Sequence, residues 1–187
     1  QVHILSGKLR AQGVQTLLVR EPGSTPLGQY LRRWLKSEAS GQEAISPIAE
    51  LFLFAAARAD VVSKVIAPAL RREGMVVVTD RFADSTTAYQ GYGRNLPLDR
   101  VKSANELAVQ GLMPALTFLL DCPPVEGLAR AQAREDSGRD LFEEESLDFH
   151  MRVRKGYLAL ARREPDRWRV IDAMRPADEV HAEIWKH

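Results

Sequence analysis

Three short stretches hold residue types that handle phosphates and flat aromatic ligands. In the first, the apolar run Met75-Val76-Val77-Val78 ends in Thr79-Asp80-Arg81-Phe82. A carboxylate beside a guanidinium can hold a metal ion and a phosphate. In the second, Phe54 and Arg58 stand one helical turn apart. A ring and a guanidinium so spaced share a face and suit a planar ligand with a polar edge. The third, Ser85-Thr86-Thr87-Ala88-Tyr89-Gln90-Gly91, offers hydroxyls, a ring and an amide within two turns, suited to reading a base and a sugar. Arg20-Glu21-Pro22-Gly23 repeats the charged strand end, with a glycine that lets a ligand approach the backbone. Each feature has a plainer counterpart: a core phenylalanine beside a snorkelling arginine, a surface ion pair, a capped surface helix. Arg130, Arg134 and Arg139, set among Glu135, Asp136 and Asp140, read equally as a solvated charged hairpin.

The elements that must carry these residues alternate between strand and helix. Val2, Leu5 and Leu9 share a helical face that stops at Gly13. Val14 to Val19 is a strand, and a short helix reaches Leu35 after the Pro22–Pro26 turn. A polar loop covers Ser37 to Gly41. Ser46 caps the next helix, with Pro47 at its first position; that helix extends to about Arg72 with a kink at Pro68. The four apolar residues from Met75 read as a strand covered on both faces. Asp84–Tyr92 and Leu98–Gln110 are helices, and Ala115–Asp121 is another strand. Pro123-Pro124 opens a helix that becomes charged near Arg134, a long helix covers about Phe142 to Arg163, Trp168–Asp172 is a strand, and Ala177–Trp185 is a last helix. Such alternation predicts a parallel sheet with helices on both sides. Arg20, Asp80, Asp121 and Asp172 each lie at the end of a strand, where open parallel sheets bind their ligands. Arg58 falls on an apolar stripe with Leu51, Val62 and Ile66, so it needs an anionic partner or a route to water.

Bulk properties set the limits. With 187 residues, 45% of them hydrophobic and 27% charged, the chain fits one ordinary globular domain. A net charge of +1 creates no global field toward a nucleic acid polymer or an anionic membrane. One cysteine, Cys122, excludes an internal disulfide and a multi-cysteine metal site, and is expected to be a small core residue. Ser6-Gly7-Lys8-Leu9 superficially resembles a phosphate loop. It lacks the hydroxyl residue after the lysine and a glycine five positions before Gly7, so it does not match G-x-x-x-x-G-K-[ST].

In this order, the pieces resemble thymidylate kinase, a P-loop nucleoside monophosphate kinase. The likeness runs from Gln1 to about Trp185. It is carried by Arg20 to Gly28, by Leu51-Phe52-Leu53-Phe54-Ala55-Ala56-Ala57-Arg58, by Asp80-Arg81-Phe82 with Ser85 to Gly91, and by Phe149 to Leu158. The resemblance implies an α/β fold and transfer of the γ-phosphoryl of ATP to dTMP, with Mg²⁺. It puts the base-stacking ring on Phe54, the base-contacting arginine on Arg58 and the phosphate-binding arginine on Arg81. Asp80 and Glu21 fall near the metal, with Arg20 near the acceptor phosphate. Thr86 and Gln90 fall near the base, and Tyr89 beside the sugar 2′ position. A lid over about 130–143 would bring Arg134 or Arg139 to ATP, because the arginine expected after Asp140 is replaced by Leu141. A cytoplasmic homodimer is implied in the same way. The family's first strand and phosphate loop are expected just before Gln1; without them, neighbouring strands would be unpaired and residues 1–187 alone inactive. A kinase of another nucleotide or a deoxynucleoside, and a non-catalytic nucleotide-binding or scaffold protein, are the alternatives.

Overall fold

The structure, a computed structural model, describes residues 1–37, 45–133 and 141–187. Its strands are β1 (Thr16–Val19), β2 (Val76–Thr79), β3 (Thr117–Asp121) and β4 (Trp168–Asp172). The helices are α1 (Val2–Ala11), α2 (Pro26–Ser37), α3 (Pro47–Val61), α4 (Ala67–Leu70), α5 (Ala83–Thr86), α6 (Leu98–Val109), α7 (Pro124–Gln132), α8 (Leu147–Arg163) and α9 (Ala177–Ile184). Two wide π-helical turns join them, π1 (Val62–Ile66) and π2 (Thr87–Gly93). The expected strand–helix alternation is therefore present, with parallel pairing throughout. The lysine of the Ser6-Gly7-Lys8 decoy is an interior residue of α1.

The strands form two separate parallel pairs. β1 pairs with β2, from Thr16 opposite Val76 to Val19 opposite Thr79. β3 pairs with β4, from Thr117 opposite Trp168 to Asp121 opposite Asp172. Among the described residues no ladder links the two pairs. Unpaired strand edges are what the sequence led one to expect for these residues without a further strand. β2 has a partner on one side only, and Val76 is 38% exposed.

The other departures have local causes. Pro68 has no N–H, and its ring crowds the carbonyl four residues back. The helix widens just ahead of it, at π1, and this is how the chain meets the kink expected at the proline. The helix expected from Asp84 to Tyr92 turns into π2 after Thr86, and Arg94 N–H bonds five residues back to Tyr89 C=O at 2.9 Å. α8 starts at Leu147, later than Phe142, because Ser146 caps it: its hydroxyl accepts the Phe149 N–H at 3.3 Å. The Ser46 cap on α3 forms as expected, accepting from Ala49 N–H. Cys122 is half-buried, touching Met174 sulfur at 3.7 Å, and is not a core residue. Most of the Ser37–Gly41 loop and the charged stretch 134–140 lie outside the described residues.

The core lies between β1 and the α3–π1 helix, where Val19, Val61, Val62, Ile66, Phe82 and Val109 are buried together. A second contact decides where the third chemical stretch points. π2 lies along α8, close enough that a Cβ on Gly156 would sit 2.7 Å from Cγ of Tyr92. Arg152 reinforces this contact by donating to Gly93 C=O at 2.8 and 3.1 Å. At the start of α5, Asp84 receives two hydrogen bonds from Arg167, at 2.7 and 2.8 Å. Arg167 also donates to Thr117 at 3.0 Å, so this arginine ties α5 to the β3–β4 pair.

Candidate active site

Both strand pairs present charged ends to one cavity of about 390 Å³. Glu21, Phe54, Arg58, Asp80, Arg81, Thr86, Tyr89 and Gln90 all line it. Eight of the residues singled out in the sequence are thus brought together from four segments. Arg20 is not in the lining; its side chain is 60% exposed, with Nε 4.0 Å from Asp80. Arg134 and Arg139 lie outside the described residues.

The turn after β1 delivers Glu21. Here the chain folds back on itself so closely that a Cβ on Gly28 would meet the backbone nitrogen of Gly23 at 2.7 Å. The Glu21-Pro22 peptide is cis. Glu21 N–H donates to Asp80 Oδ1 at 3.0 Å, which joins the ends of β1 and β2. The Glu21 carboxylate turns inward and pairs with Arg58. Both groups are buried, at 3% and 1% exposure. Arg58 is therefore not a snorkelling residue: Nη1 donates to Asn105 Oδ1 at 2.9 Å, and its guanidinium lies 5.5 Å from the Phe82 ring. Asn105 is fixed in turn by donating to Ala83 C=O and the Thr87 hydroxyl, each at 3.1 Å. Burial pushes the Glu21 carboxyl above its usual range, against the opposing pull of Arg58.

Arg81 has a different setting. Its guanidinium lies 5.0 Å from the Tyr89 ring, and among the described residues it forms no ion pair. It is a cation at the cavity wall that stays charged beside Tyr89 and the Asp80 carboxylate, without a direct ion pair among the described residues. Asp80 keeps a partly exposed carboxylate at the same rim, at 35%.

Aromatic rings fill the next wall. Phe142 lies 5.8 Å from Phe54 at a 44° tilt, and 5.1 Å from Tyr89 edge to face. Such contacts are worth about 0.5–1.5 kcal/mol beyond burial. Tyr157 donates to Ser85 Oγ at 2.8 Å, and burial pushes its hydroxyl up to about 12. Phe54 is half-buried, so part of its ring remains available to a ligand.

Several residues in the wall, or bonded to it as Glu50 is through Gln90, carried no individual assignment in the sequence. Arg154 from α8 donates to both oxygens of Asp121 at 2.7 and 2.8 Å, at the end of β3. Its hydrogen bonds hold the Asp121 carboxyl below its usual range. Asp121 was visible as a strand-end acid, but its partner lies 33 residues away and has no local signal. Glu50 is 2% exposed and accepts from Gln90 Nε2 at 2.7 Å and from Arg94 at 2.9–3.2 Å. In the sequence it looks like an ordinary acid in the first turn of a helix. Phe142 was read as part of a helix and instead closes the aromatic wall.

Chemically, this cavity offers a ring for stacking, an unpaired cation, a partly exposed carboxylate and an amide. No cluster of three or more His, Cys, Asp or Glu side chains suited to a metal occurs among the described residues. No helix among them is long and apolar enough to cross a membrane.

Comparison with known proteins bears on the family. The family model described as thymidylate kinase matches residues 1–184. A thymidylate kinase of Synechococcus sp. (strain JA-2-3B'a(2-13)) is 51% identical, covering 99% of this chain and 85% of the relative. That of Syntrophotalea carbinolica is 47% identical, with 99% and 86% covered. The crystal structure of thymidylate kinase from Ehrlichia chaffeensis superposes with a TM-score of 0.75 at 30% identity, covering 99% of this chain and 87% of that one. With the α/β fold and the cavity already in place, this degree of likeness along the whole chain means that it belongs to the thymidylate kinase family of nucleoside monophosphate kinases.

Proposed function

We propose that residues 1–187 form one nucleotide kinase domain whose cavity holds dTMP as the acceptor of the γ-phosphoryl of ATP. The observation that carries this reading is the convergence of Phe54, Arg58, Arg81 and Gln90 on one cavity. Phe54 stacks on thymine, while Arg58 and Gln90 meet its polar edge with Thr86 nearby. Tyr89 stands beside the sugar. Arg81 takes the 5′-phosphate, since a dianion supplies the direct ion pair that this guanidinium does not make among the described residues. Phosphoryl transfer depends on positioning and charge neutralisation more than on covalent help from the protein, and this lining is built for both.

Mg²⁺ is commonly held by one or two carboxylates together with substrate phosphates. Asp80 suits that task because its carboxylate is partly exposed at the rim. Glu21 is committed to Arg58, so its part is to hold that arginine rather than to meet the ion directly. When bound, the ion would neutralise charge on the transferring phosphates. Residues 1–187 contain no G-x-x-x-x-G-K-[ST] loop. The reading therefore assigns the dTMP side of the cavity to these residues and leaves the ATP phosphates to a loop outside them. Arg20 supports the acceptor phosphate from the rim, while the expected ATP-side role of Arg134 or Arg139 falls outside the described residues. A homodimer in the cytoplasm belongs to the same proposal. Phe52 on α3 and Leu107 on α6, exposed at 62% and 81%, favour self-association.

Calorimetric titration with dTMP, dCMP, dAMP and dGMP tests the binding half. dTMP should bind in preference to the others, and Phe54→Ala should weaken it by about 1 kcal/mol or more, roughly fivefold. Equal affinity across the panel, or no binding of dTMP, would overturn the reading.

A further inference from the structure

Among the described cavity residues, Gln90 is the one whose hydrogen-bonding polarity could in principle be reversed by a half-turn of an amide. Here it cannot be. Its Nε2 lies 2.7 Å from Glu50 Oε1, and a carboxylate only accepts. The nitrogen must therefore face Glu50. Gln90 is 1% exposed, and among the described residues no donor reaches its Oε1. That oxygen is the acceptor left for the cavity.

Glu50 is itself held in place. Arg94 donates to both of its oxygens, at 2.9 Å from Nη2 and 3.2 Å from Nε. The other arm of Arg94 pairs with Glu145. The guanidinium sits 4.8 Å from the ring of Phe149, against the aromatic wall. A carboxylate at 2% exposure with a bidentate arginine has little freedom to turn away. Arg58, a donor lining the same cavity, joins the Gln90 oxygen in offering a base edge one donor and one acceptor. That pattern complements a carbonyl beside a ring N–H, as on thymine and uracil. It mismatches an amino group beside a bare ring nitrogen, as on cytosine.

We infer that Glu50 is a positioning residue for base selection, turning the Gln90 amide so that its oxygen faces the ring N–H of the bound base. The inference rests on dTMP occupying this cavity and extends that reading to a residue that does not touch the nucleotide.

The test compares dTMP with 5-methyl-dCMP, which differ only at the edge in question. Affinities are measured by calorimetry on the unaltered chain, on Glu50→Gln and on Glu50→Asp. Glutamine at position 50 can donate as well as accept, so the Gln90 amide is free to rotate. Aspartate keeps the charge opposite Arg94 but is too short to reach Gln90. In both variants the preference for dTMP over 5-methyl-dCMP should fall by about tenfold or more, the scale of one hydrogen bond to a charged or buried group. A merely structural role would weaken both nucleotides together and leave their ratio unchanged, and that result overturns the inference. Failure of the unaltered chain to prefer dTMP would instead overturn the reading of the cavity. Thermal melts show which variant is folded, and either one decides the question.

Discussion

Gly156→Ala should destabilise this protein although alanine is the better helix former. Gly156 is an interior residue of α8, where the exchange gains about 0.8–1.0 kcal/mol of helix propensity. Against this stands the contact with π2. A Cβ at this position would lie 2.7 Å from Cδ2 and Cγ of Tyr92 and 2.9 Å from its Cβ. These atoms are the root of the Tyr92 side chain and cannot swing aside, so helix and π turn must separate. Overpacking costs about 1–3 kcal/mol, and a clash at the root belongs at the upper end. The net loss is then about 1–2 kcal/mol, which lowers Tm by roughly 2–8 °C for a chain of this size. Because π2 also carries Tyr89 and Gln90, dTMP affinity should fall with stability. Gly7→Ala supplies the control: Gly7 is an interior residue of α1 with open space where the methyl would go, so the same exchange should raise stability by up to about 1 kcal/mol. Urea melts followed by circular dichroism measure both. If Gly156→Ala melts at or above the parent, the close packing of α8 on π2 is not as described.

Two further tests address charge. Asp84→Asn should cost about 3 kcal/mol in a urea melt, because it breaks a two-point pair in which both side chains are only 12% exposed and leaves Arg167 short of its partner; a loss under about 1 kcal/mol would mean that water replaces the pair. The pH dependence should have two opposed parts. The Asp121 carboxyl is lowered from 3.8 by Arg154, so its contribution is present above that value and is lost as pH falls through the lower, folded one. Glu21 is raised from 4.5 by burial, so its contribution is complete below 4.5 and is lost as pH rises through the higher, folded value. Asp121→Asn should therefore flatten the acid limb of a stability–pH curve, and Glu21→Gln should remove a rise on mild acidification; unchanged curves would show that neither pair senses folding.

Much of the architecture was legible because apolar runs and their charged ends mark strands without reference to the rest of the chain. Val76 to Thr79 and Trp168 to Asp172 are legible in this way, and the cap at Ser46 is legible from the serine and the proline that follows it. The number of hydrogen-bonded neighbours of β2 was not legible: four apolar residues look the same with one or two. The wide turns left no trace either, since a π turn differs from an α turn in where its amides point and not in residue type. The site followed the same division. Arg58 was found by its conflict with an apolar stripe, but spacing could not tell a side chain reaching for water from one sealed against Glu21. Glu50 conflicts with nothing in the sequence. Its role depends on Gln90, 40 residues away, and on Arg94 beyond it.

The π turn at Thr87–Gly93 has a consequence for which length changes this chain can absorb. A backbone bond that reaches five residues back, as from Arg94 to Tyr89, accommodates one more residue than an α turn would. Deleting a single residue there would let the turn close in the tighter form. The residues inside the turn would then face differently, although the chain on either side keeps its phase. The amide at position 90 and the guanidinium at position 94 would no longer fall in phase with the same carboxylate. Relatives that vary freely in loop length should therefore hold this interval constant, and an engineered deletion here should do more harm than one of equal size in an exposed connection.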